Sequence, residues 1–276
     1  MSSEKMMHGL WQELRLSLRG LVRNPAFSLT AVSVLSLAIG ANAALLGVVK
    51  AVLFRSPVES PEDVLVMWEQ DLERDRPLIE VSYSNFADFR EESASFEDVA
   101  AFSSVNWGHI LTGAGDAYAV SSAGVSTNFF ETLSVRPLLG RTFRAEDDEP
   151  GAAGAVVLSF GFWQERFGGA LNVVGRTIDL EGDTSGVEAF TVIGVMPRKF
   201  DFPRGAEIWT PVRRRLAGAA LARSYRVEEV LRRLNVLFLV GRLAPSVERA
   251  HAEAESNGIL RRLAETHAWP ARTIVR

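Results

Sequence analysis

The sequence predicts an α+β protein, in which an N-terminal transmembrane helix precedes a mixed α+β domain. Residues 26–49 form an apolar stretch without a charged residue, which is typical of a membrane-spanning helix. After this stretch, short runs rich in β-branched and aromatic residues alternate with segments of helical periodicity. The composition, with 47% hydrophobic and 23% charged residues, is that of a chain with a packed core.

The composition also excludes several classes of function. A net charge of −4 gives no global attraction to phosphates, so nucleic acid is not expected as a partner. The chain has no cysteine, which excludes disulfides, thiolate nucleophiles and cysteine-ligated zinc but leaves the redox compartment open.

The transmembrane helix is expected at residues 25–50. The 24 uncharged residues at 26–49 would rise about 36 Å as a helix, against about 30 Å for a hydrocarbon core. Asn24 is a favourable N-cap, and Pro25 suits the first helical position, where a missing N–H costs nothing. The helix is therefore predicted to begin at Pro25.

Residues 1–24 are predicted to be a cytoplasmic amphipathic segment. Four apolar side chains recur there at helical spacing, opposite charged ones, so the segment is expected to lie in the membrane interface. These interfacial residues are Trp11, Leu14, Leu18 and Leu21. Basic residues precede the span, whereas Lys50 and Arg55 after it are followed by acidic residues. This bias favours a single-pass topology with the N-terminus inside and the main domain outside the cytoplasmic membrane.

A stripe of small side chains runs along one face of the predicted span. Its members are Ser36, Gly40, Ala43, Ala44 and Gly47. Such a stripe lets a second helix approach closely, which predicts partner helices. The alternative is that small residues are simply common in membrane helices.

A cleaved signal peptide is the main alternative to a permanent anchor. Ala41, Asn42 and Ala43 have the small-x-small form of a cleavage site, which would place the cut after Ala43. The apolar run continues to Val49, beyond the usual length of a signal peptide. This continuation favours the anchor.

The region from residue 56 to 276 is predicted to be the folded domain. Strands are expected at 64–68, within 96–124 on both sides of a turn at 113–116, and at 155–159, 177–180, 190–196, 208–209 and 235–243, the last being the longest. A helix is expected to start at 85–90. A second is expected at 128–133, with Asn128 as its cap and Glu131 three positions later.

Two further helices are predicted in the second part of this domain. One passes through Phe162 and Trp163 to Phe167 and ends at a Gly-Gly pair, 168–169. The other begins with Ser246 as its cap and runs to about His267. Its expected inward residues are Ala250, Ala254 and Leu260.

Two charged segments each carry two interpretations. The basic stretch 213–233 would face anionic lipid or an acidic partner, or form a solvated helix or a connection. The acidic run 146–149 would bind calcium or form a surface loop. The run lacks the alternating spacing of a calcium-binding loop, which favours the surface loop.

No catalytic motif is recognisable in the sequence. The phosphate-binding loop, the dinucleotide fingerprint and the H-E-x-x-H pair are all missing. Ser159 lacks the glycine two positions earlier that a nucleophile elbow requires, and a helix cap is its better interpretation. The sequence therefore predicts a protein that is not an enzyme and holds no cofactor or metal.

Several sequence blocks together resemble MacB-like ABC transporter permeases, particularly the duplicated permeases abundant in acidobacteria. NPAF at 24–27 and LAIGAN at 37–42 resemble the family's first membrane helix. The blocks that resemble its periplasmic core domain are FFETL at 129–133, GRTF at 140–143, residues 158–169, VGRT at 174–177, FTVIGVMP at 190–197, IWTP at 208–211 and GRLAP at 241–245. The blocks occur in the order found in the family.

This resemblance implies a first helix with its N-terminus inside the bacterial inner membrane. A periplasmic core domain follows at 56–276, with a porter-like part and a smaller inserted part. It further implies a last strand and three more membrane helices after this domain, which the sequence to Arg276 lacks, so the domain is expected to be C-terminally incomplete. The expected partners are a separate ABC-type ATPase, and partner helices or a second permease copy in the lipid bilayer. The expected function is to transmit ATP-driven motion to the periplasm for export or efflux. A stand-alone, membrane-anchored periplasmic binding module and an exported enzyme are the alternatives.

Overall fold

The computed structural model describes residues 61–71, 76–103, 107–112, 117–149, 151–182, 186–222, 224–267 and 272–275. All of them lie in the unit Ser56–Arg276. The predicted segment 1–24 and the predicted span 25–50 lie outside these residues. Among the described helices, none is long and apolar enough to cross a membrane.

The described domain combines a large sheet with helices, which confirms the α+β class. The strands are β1 (Val64–Asp71), β2 (Arg76–Ile79), β3 (Val81–Ser82), β4 (Phe96–Ser103), β5 (His109–Thr112), β6 (Tyr118–Val120), β7 (Ser122–Val125), β8 (Leu139–Gly140), β9 (Gly154–Leu158), β10 (Thr177–Gly182), β11 (Gly186–Val195), β12 (Ile208–Pro211), β13 (Asn235–Leu243) and β14 (Arg272–Val275). The α-helices are α1 (Tyr83–Glu92), α2 (Phe129–Thr132), α3 (Phe160–Phe167), α4 (Val212–Ala222), α5 (Val227–Arg233) and α6 (Arg249–His267). Short 3₁₀ helices lie at Pro61–Asp63, Ala145–Asp148 and Leu171–Val173.

The strands form one mixed sheet, in the order β14-β1-β13-β4-β7-β12-β9-β11-β10-β5-β6. Strand β2 pairs with β1, β3 with β13, and β8 with β11. We call the strands from β14 to β4 the first half and those from β7 to β6 the second half. The chain leaves the first half after β4, builds the second half from β5 to β12, and returns as β13.

Alternating side chains bury three apolar cores on the faces of this sheet. The first core lies in the first half, where Leu65 and Leu237 of the sheet pack with Phe86 of α1 and Ile259 of α6. The second is rich in aromatic residues and includes residues of both halves. The third packs α3 on the second half. Because the second core includes Val240 of β13 and Trp209 of β12, burial of apolar surface stabilises the sheet across its middle.

Local signals explain where several helices begin and end. Ser82 caps α1, since its hydroxyl accepts a hydrogen bond from the Asn85 N–H at 3.2 Å. Ser159 caps α3 in the same way, with Phe162 as the donor at 3.1 Å, as the sequence predicts. Helix α3 ends at Gly168, whose φ of 59° is in the left-handed region that glycine adopts without strain.

The structure corrects the predicted cap of α2. This helix is Phe129–Thr132, and the side chain of Asn128 makes no capping hydrogen bond. Its amide group donates instead to strand β4. Strand β13 has the predicted bounds, whereas β11, with 10 residues, begins before the predicted range 190–196.

The predicted end of α6 at His267 is confirmed, but its predicted start and two of its three predicted inward residues are wrong. The helix begins at Arg249, and Ser246 lies in a preceding turn with a φ of 66°. Ala250 and Ala254 are exposed, whereas Leu260 is buried as expected. The observed inward face is Ala252, Ser256, Ile259, Leu260 and Leu263. A helix with so many alanines has a weak apolar pattern, and the sequence alone did not define its rotation.

Candidate functional site

The membrane residues singled out by the sequence all lie outside the described part of the chain. This holds for the interfacial residues Trp11, Leu14, Leu18 and Leu21 and for the small-residue stripe of Ser36, Gly40, Ala43, Ala44 and Gly47. Their roles stay predictions. Within the described domain, two neighbouring features form the candidate site: the joint between the two halves of the sheet, and a cavity beside helix α4.

The joint lies where β4 meets β7. The two strands are paired through Phe102 and Val125. Around this pair, serine hydroxyls accept hydrogen bonds from backbone N–H groups of the opposite strand. The Ser126 hydroxyl accepts from the Ala101 N–H at 2.9 Å, and the Ser103 hydroxyl accepts from the Gly124 N–H at 3.0 Å. Side-chain groups therefore satisfy backbone donors that a regular ladder would pair with carbonyls.

Asn128 extends the joint to helix α1. Its amide group donates to the Val99 carbonyl at 2.8 Å and to the Asp98 carboxylate at 2.7 Å. Its own oxygen accepts from the Ser126 hydroxyl at 2.7 Å. Asp98 in turn forms an ion pair with Arg90 of α1 at 2.7 Å. This polar network fixes α1, β4 and α2 relative to one another.

Helix α4 crosses from one half of the sheet to the other. Val212 and Leu216 are buried in the first core, with α1 and α6. On the second half, the Arg214 guanidinium lies 3.2 Å from the Glu188 carboxylate and 5.4 Å from the Phe190 ring centroid of β11. The basic stretch 213–233 is thus two helices, α4 and α5, and α4 packs on the sheet.

Within the acidic run 146–149, Asp148 caps helix α4, which corrects the predicted surface loop at this position, whereas Glu146 and Glu149 are exposed. Asp148 is 5% exposed, and its Oδ1 accepts from the Arg214 N–H at 2.8 Å. Pro211, which precedes α4, has no side-chain oxygen, so the cap comes from a remote segment. Burial raises the pKa of Asp148 to about 7, although the N–H donors and the Arg213 charge act in the opposite direction.

The neighbouring Asp147 has a different role. It pairs with both terminal nitrogens of Arg141, at 2.6 and 2.9 Å, and accepts from the Arg144 N–H at 2.8 Å. Both buried carboxylates of the acidic run are therefore engaged with protein donors. Among the described residues, no group of three or more histidine or acidic side chains is placed to hold a metal ion.

A cavity of about 100 Å³ lies between α4 and the second half of the sheet. Its walls come from α4, β5, β10, β11 and β12, together with Gly151. The polar residues that line it are His109, Glu188, Thr210, Arg214 and Arg215. Leu180, Phe190, Pro211 and Ala217 supply apolar surface.

His109 is held at the cavity wall by a chain of hydrogen bonds. The Ser122 hydroxyl donates to the Trp107 carbonyl at 2.5 Å, so its oxygen accepts from Nδ1–H of His109 at 2.8 Å. Nε2 of His109 then accepts from the guanidinium of Arg215. Burial, followed by the Arg215 charge, lowers the pKa of His109 to about 4. The imidazole is therefore neutral at physiological pH.

The two arginines of the cavity wall are held by different groups. Arg214 donates to the Ala152 carbonyl at 2.9 Å and pairs with Glu188. Arg215 lies over the Trp107 ring, 4.8 Å from its centroid. Thr210 is 2% exposed, and its hydroxyl has no hydrogen-bond partner in the described structure. A buried hydroxyl without a partner costs about 1–3 kcal/mol.

Sequence reasoning missed these cavity residues. The basic triplet 213–215 was visible, but the pattern of charges gave no indication that Arg214 and Arg215 approach β5 and β11. His109 and Thr210 carried no motif. Their proximity depends on the pairing of distant strands, which local sequence does not specify.

A family model described as the MacB-like periplasmic core domain matches residues 28–258. A comparison with curated proteins gives no significant match.

Solved structures share the fold. The periplasmic region of MacB from Actinobacillus actinomycetemcomitans is 14% identical with a TM-score of 0.55, and the match covers 79% of this chain and 92% of that one. The extracellular domain of the noncanonic ABC-type transporter YknZ from Gram-positive bacteria is 13% identical with a TM-score of 0.53, covering 77% and 100%. A domain of a putative permease protein from Porphyromonas gingivalis is 15% identical with a TM-score of 0.54, covering 79% and 90%.

Proposed function

The chain belongs to the family of MacB-like periplasmic core domains, and from this premise we propose that it is a subunit, or part of a subunit, of an ABC permease. In this proposal, one N-terminal helix anchors the chain in the bacterial inner membrane, with the N-terminus in the cytoplasm. A separate ABC-type ATPase supplies the energy. The periplasmic domain moves in response, and this motion drives export or efflux.

The family match over residues 28–258 carries this proposal. The course of helix α4 supports it, because a domain that transmits motion needs parts that move as one body. Val212 packs in the first core, while Arg214 binds Glu188 of β11 in the second half. Displacement of either half would therefore be passed to the other through α4 and the joint.

Co-purification from native membranes tests the proposal. The tagged full chain is isolated in mild detergent, and the proteins that accompany it are identified by mass spectrometry. An ABC-type ATPase and a polypeptide with further membrane helices are the expected partners. Isolation of the chain alone would contradict the permease assignment.

Substitutions in the predicted span sharpen this test. Ala44→Leu places a bulky side chain in the small-residue stripe and is expected to reduce recovery of the membrane partner at least tenfold, because close helix approach is lost. Ala31→Leu is the matched control, since helical spacing puts Ala31 on the opposite face of the span. Equal recovery with both variants would show that the stripe is not a packing surface.

The second candidate function is a stand-alone, membrane-anchored periplasmic binding module. The cavity beside α4, with two arginines and a neutral histidine in its wall, specifically favours it. A module of this kind would bind a small molecule without any ATPase. Recovery of the chain alone, together with ligand binding in that cavity, would support this second function over the first.

A further inference from the structure

We propose that two exposed surfaces of this domain bind each other head to tail, so that one copy of the chain docks on a second copy. The first surface is the outer face of β5, β6, β10 and β11, which we call the acidic face. The second is the turn that joins α4 to α5, which we call the α4–α5 corner. This contact between copies goes beyond the permease assignment and does not depend on it.

Strand pairing places a row of side chains across the second half of the sheet. Glu181 of β10 is paired with Val187 of β11 on one side and with Ile110 of β5 on the other. Ala119 of β6, which is paired with Ile110, extends the row to the last strand of the sheet. Directly paired residues have their Cβ atoms about 5 Å apart. The four side chains therefore form a continuous strip.

This strip is exposed, whereas the opposite face of the same strands is packed. Val187 is 59% exposed, and the other three members of the row are also exposed. The neighbouring residues Leu180 and Leu111 are buried in the third core, which includes residues of α3. A β-strand directs alternate side chains to opposite faces of the sheet. The outer face is therefore available to a partner.

Two carboxylates determine the charge of the acidic face. Asp179 lies two positions before Glu181 on β10, is exposed, and belongs to the same face. Neither carboxylate has an ion-pair or hydrogen-bond partner among the residues that the structure describes. Two copies that met through this face alone would bring like charges together, which opposes association. The face therefore suits a surface that combines apolar side chains with a cation.

The α4–α5 corner presents this combination. Leu221, near the end of α4, is 63% exposed, and Tyr225, in the following turn, is 60% exposed. The Tyr225 N–H donates to the Ala220 carbonyl at 2.8 Å, and the Ser224 N–H donates to the Leu221 carbonyl at 3.0 Å. These two bonds hold Tyr225 beside the last turn of α4. Arg226 follows directly and is exposed.

The charge of the corner is opposite to that of the acidic face. The segment 213–233, which contains the corner, has seven arginines and two glutamates. Two of these arginines pair with Glu188 and Asp88 of other elements. An excess of positive charge remains, even with the exposed Glu228 included. Arg226 itself has no ion-pair partner in the described part of the chain.

The two surfaces lie on opposite sides of the sheet, so they cannot bind each other within one copy. Leu221 lines the cavity between α4 and the packed face, together with Leu180. Glu181, the next residue after Leu180, belongs to the outer face. Contact between the two surfaces therefore requires a second copy. Such a heterologous contact, in which each copy uses two different surfaces, leads to rings or rows of subunits.

The lack of cysteine in the chain permits a direct test. Val187→Cys places a single thiol on the acidic face, and Leu221→Cys places one on the corner. Both variants are expected to fold, because both side chains are exposed. The two full chains, one of them lengthened by a tag, are co-expressed in one bacterial membrane and treated with a short bis-maleimide. A cross-linked heterodimer of the two variants is expected.

Two controls define the specificity of this product. Each variant expressed without the other should give about tenfold less cross-linked dimer, because a head-to-tail contact does not bring equivalent residues together. In the second control, Glu265→Cys on α6 replaces Leu221→Cys. Glu265 is exposed and belongs to neither surface, so its loss of product with Val187→Cys should be equally large.

Charge reversal distinguishes this contact from chance proximity in the membrane. Glu181→Lys on the Val187→Cys chain opposes one cation with another and should reduce the heterodimer about tenfold. Arg226→Glu, added to the Leu221→Cys chain, restores opposite charges and should recover it.

Four results would overturn the proposal. They are the absence of the heterodimer, equal yields from either variant alone, a yield that Glu181→Lys leaves unchanged, and a cross-link from Val187→Cys only to a protein other than this chain. The last result would assign the acidic face to a different partner. None of these results depends on an ATPase, so this proposal and the permease assignment fail separately.

Discussion

The two edges of strand β4 are joined to their neighbours in different ways. On one edge, a backbone ladder runs from the pair Phe96–Leu243 to the pair Ser103–Leu237. On the other edge, the paired residues are Phe102 and Val125, the Ser126 N–H donates to the Ala101 carbonyl at 2.8 Å, and the side chains of Ser103, Ser126 and Asn128 supply further links. A backbone ladder survives most substitutions, whereas one substitution removes a side-chain link. The hydrogen bonding of the joint therefore depends on a few polar side chains, while the second apolar core and helix α4 also link the two halves.

The largest expected effect concerns Asp148, which caps the helix that crosses the joint. Its pKa is about 7 in the folded chain against 3.8 for an ordinary aspartate. Between these two values, the folded state keeps a proton that the unfolded state releases. The unfolding free energy should therefore fall as pH rises from about 4 to 7, by up to about 4 kcal/mol from this group. Asp148→Asn retains an oxygen acceptor for the Arg214 N–H and should remove this pH dependence.

Chemical unfolding of the full chain at several pH values measures this difference. Glu149→Gln is the matched control, because Glu149 is adjacent and exposed, and its profile should follow that of wild type. A constant difference between wild type and Asp148→Asn from pH 4 to 8 would show that Asp148 does not retain its proton in the folded state.

The second effect tests the contrast between the side-chain links of the joint and a backbone pairing of β13. Asn128→Ala removes the donors to Val99 and Asp98 and leaves the Ser126 hydroxyl without its acceptor. The expected loss is about 3 kcal/mol, because several buried polar groups lose a partner together. Asn235→Ala, on β13 at its backbone pairing with Ser82 of β3, is expected to cost less than about 1 kcal/mol. Equal losses measured by urea unfolding would mean that the joint is no more sensitive than the ladder.

Much of the fold of the described domain follows from local sequence. The observed strand Asn235–Leu243 has the predicted bounds, since β-branched and aromatic residues between Leu234 and Pro245 indicate a strand and its end. The Ser159 cap and the Gly168 stop of α3 were also predictable, because each depends on a residue next to the helix end. Such signals act within one turn of the chain.

The joint and the cavity follow from long-range pairing, which is why local sequence did not reveal them. Asparagine is a common residue at a helix cap, yet the side chain of Asn128 donates to the carbonyl of Val99, 29 positions away. Asp148 caps a helix 66 positions further on. The residues next to Asn128 and Asp148 do not show whether these side chains bind distant protein groups or water. An exposed loop was therefore the reasonable expectation for the acidic run. Candidate functional residues here are fixed by topology and not by motif.

The smallest effect compares two buried hydroxyls, one on each side of the joint. The Ser103 hydroxyl accepts from the Gly124 N–H, whereas the Thr210 hydroxyl has no partner in the described structure. Ser103→Ala should therefore destabilise the full chain by about 1–2 kcal/mol, while Thr210→Val, which keeps the side-chain shape, should stabilise it by up to about 1 kcal/mol. Opposite signs in urea unfolding would establish that polar groups are satisfied at the joint and unsatisfied at the cavity. A loss with Thr210→Val would mean that its hydroxyl already has a partner in the empty cavity, such as a buried water, and would remove the contrast between the two sites.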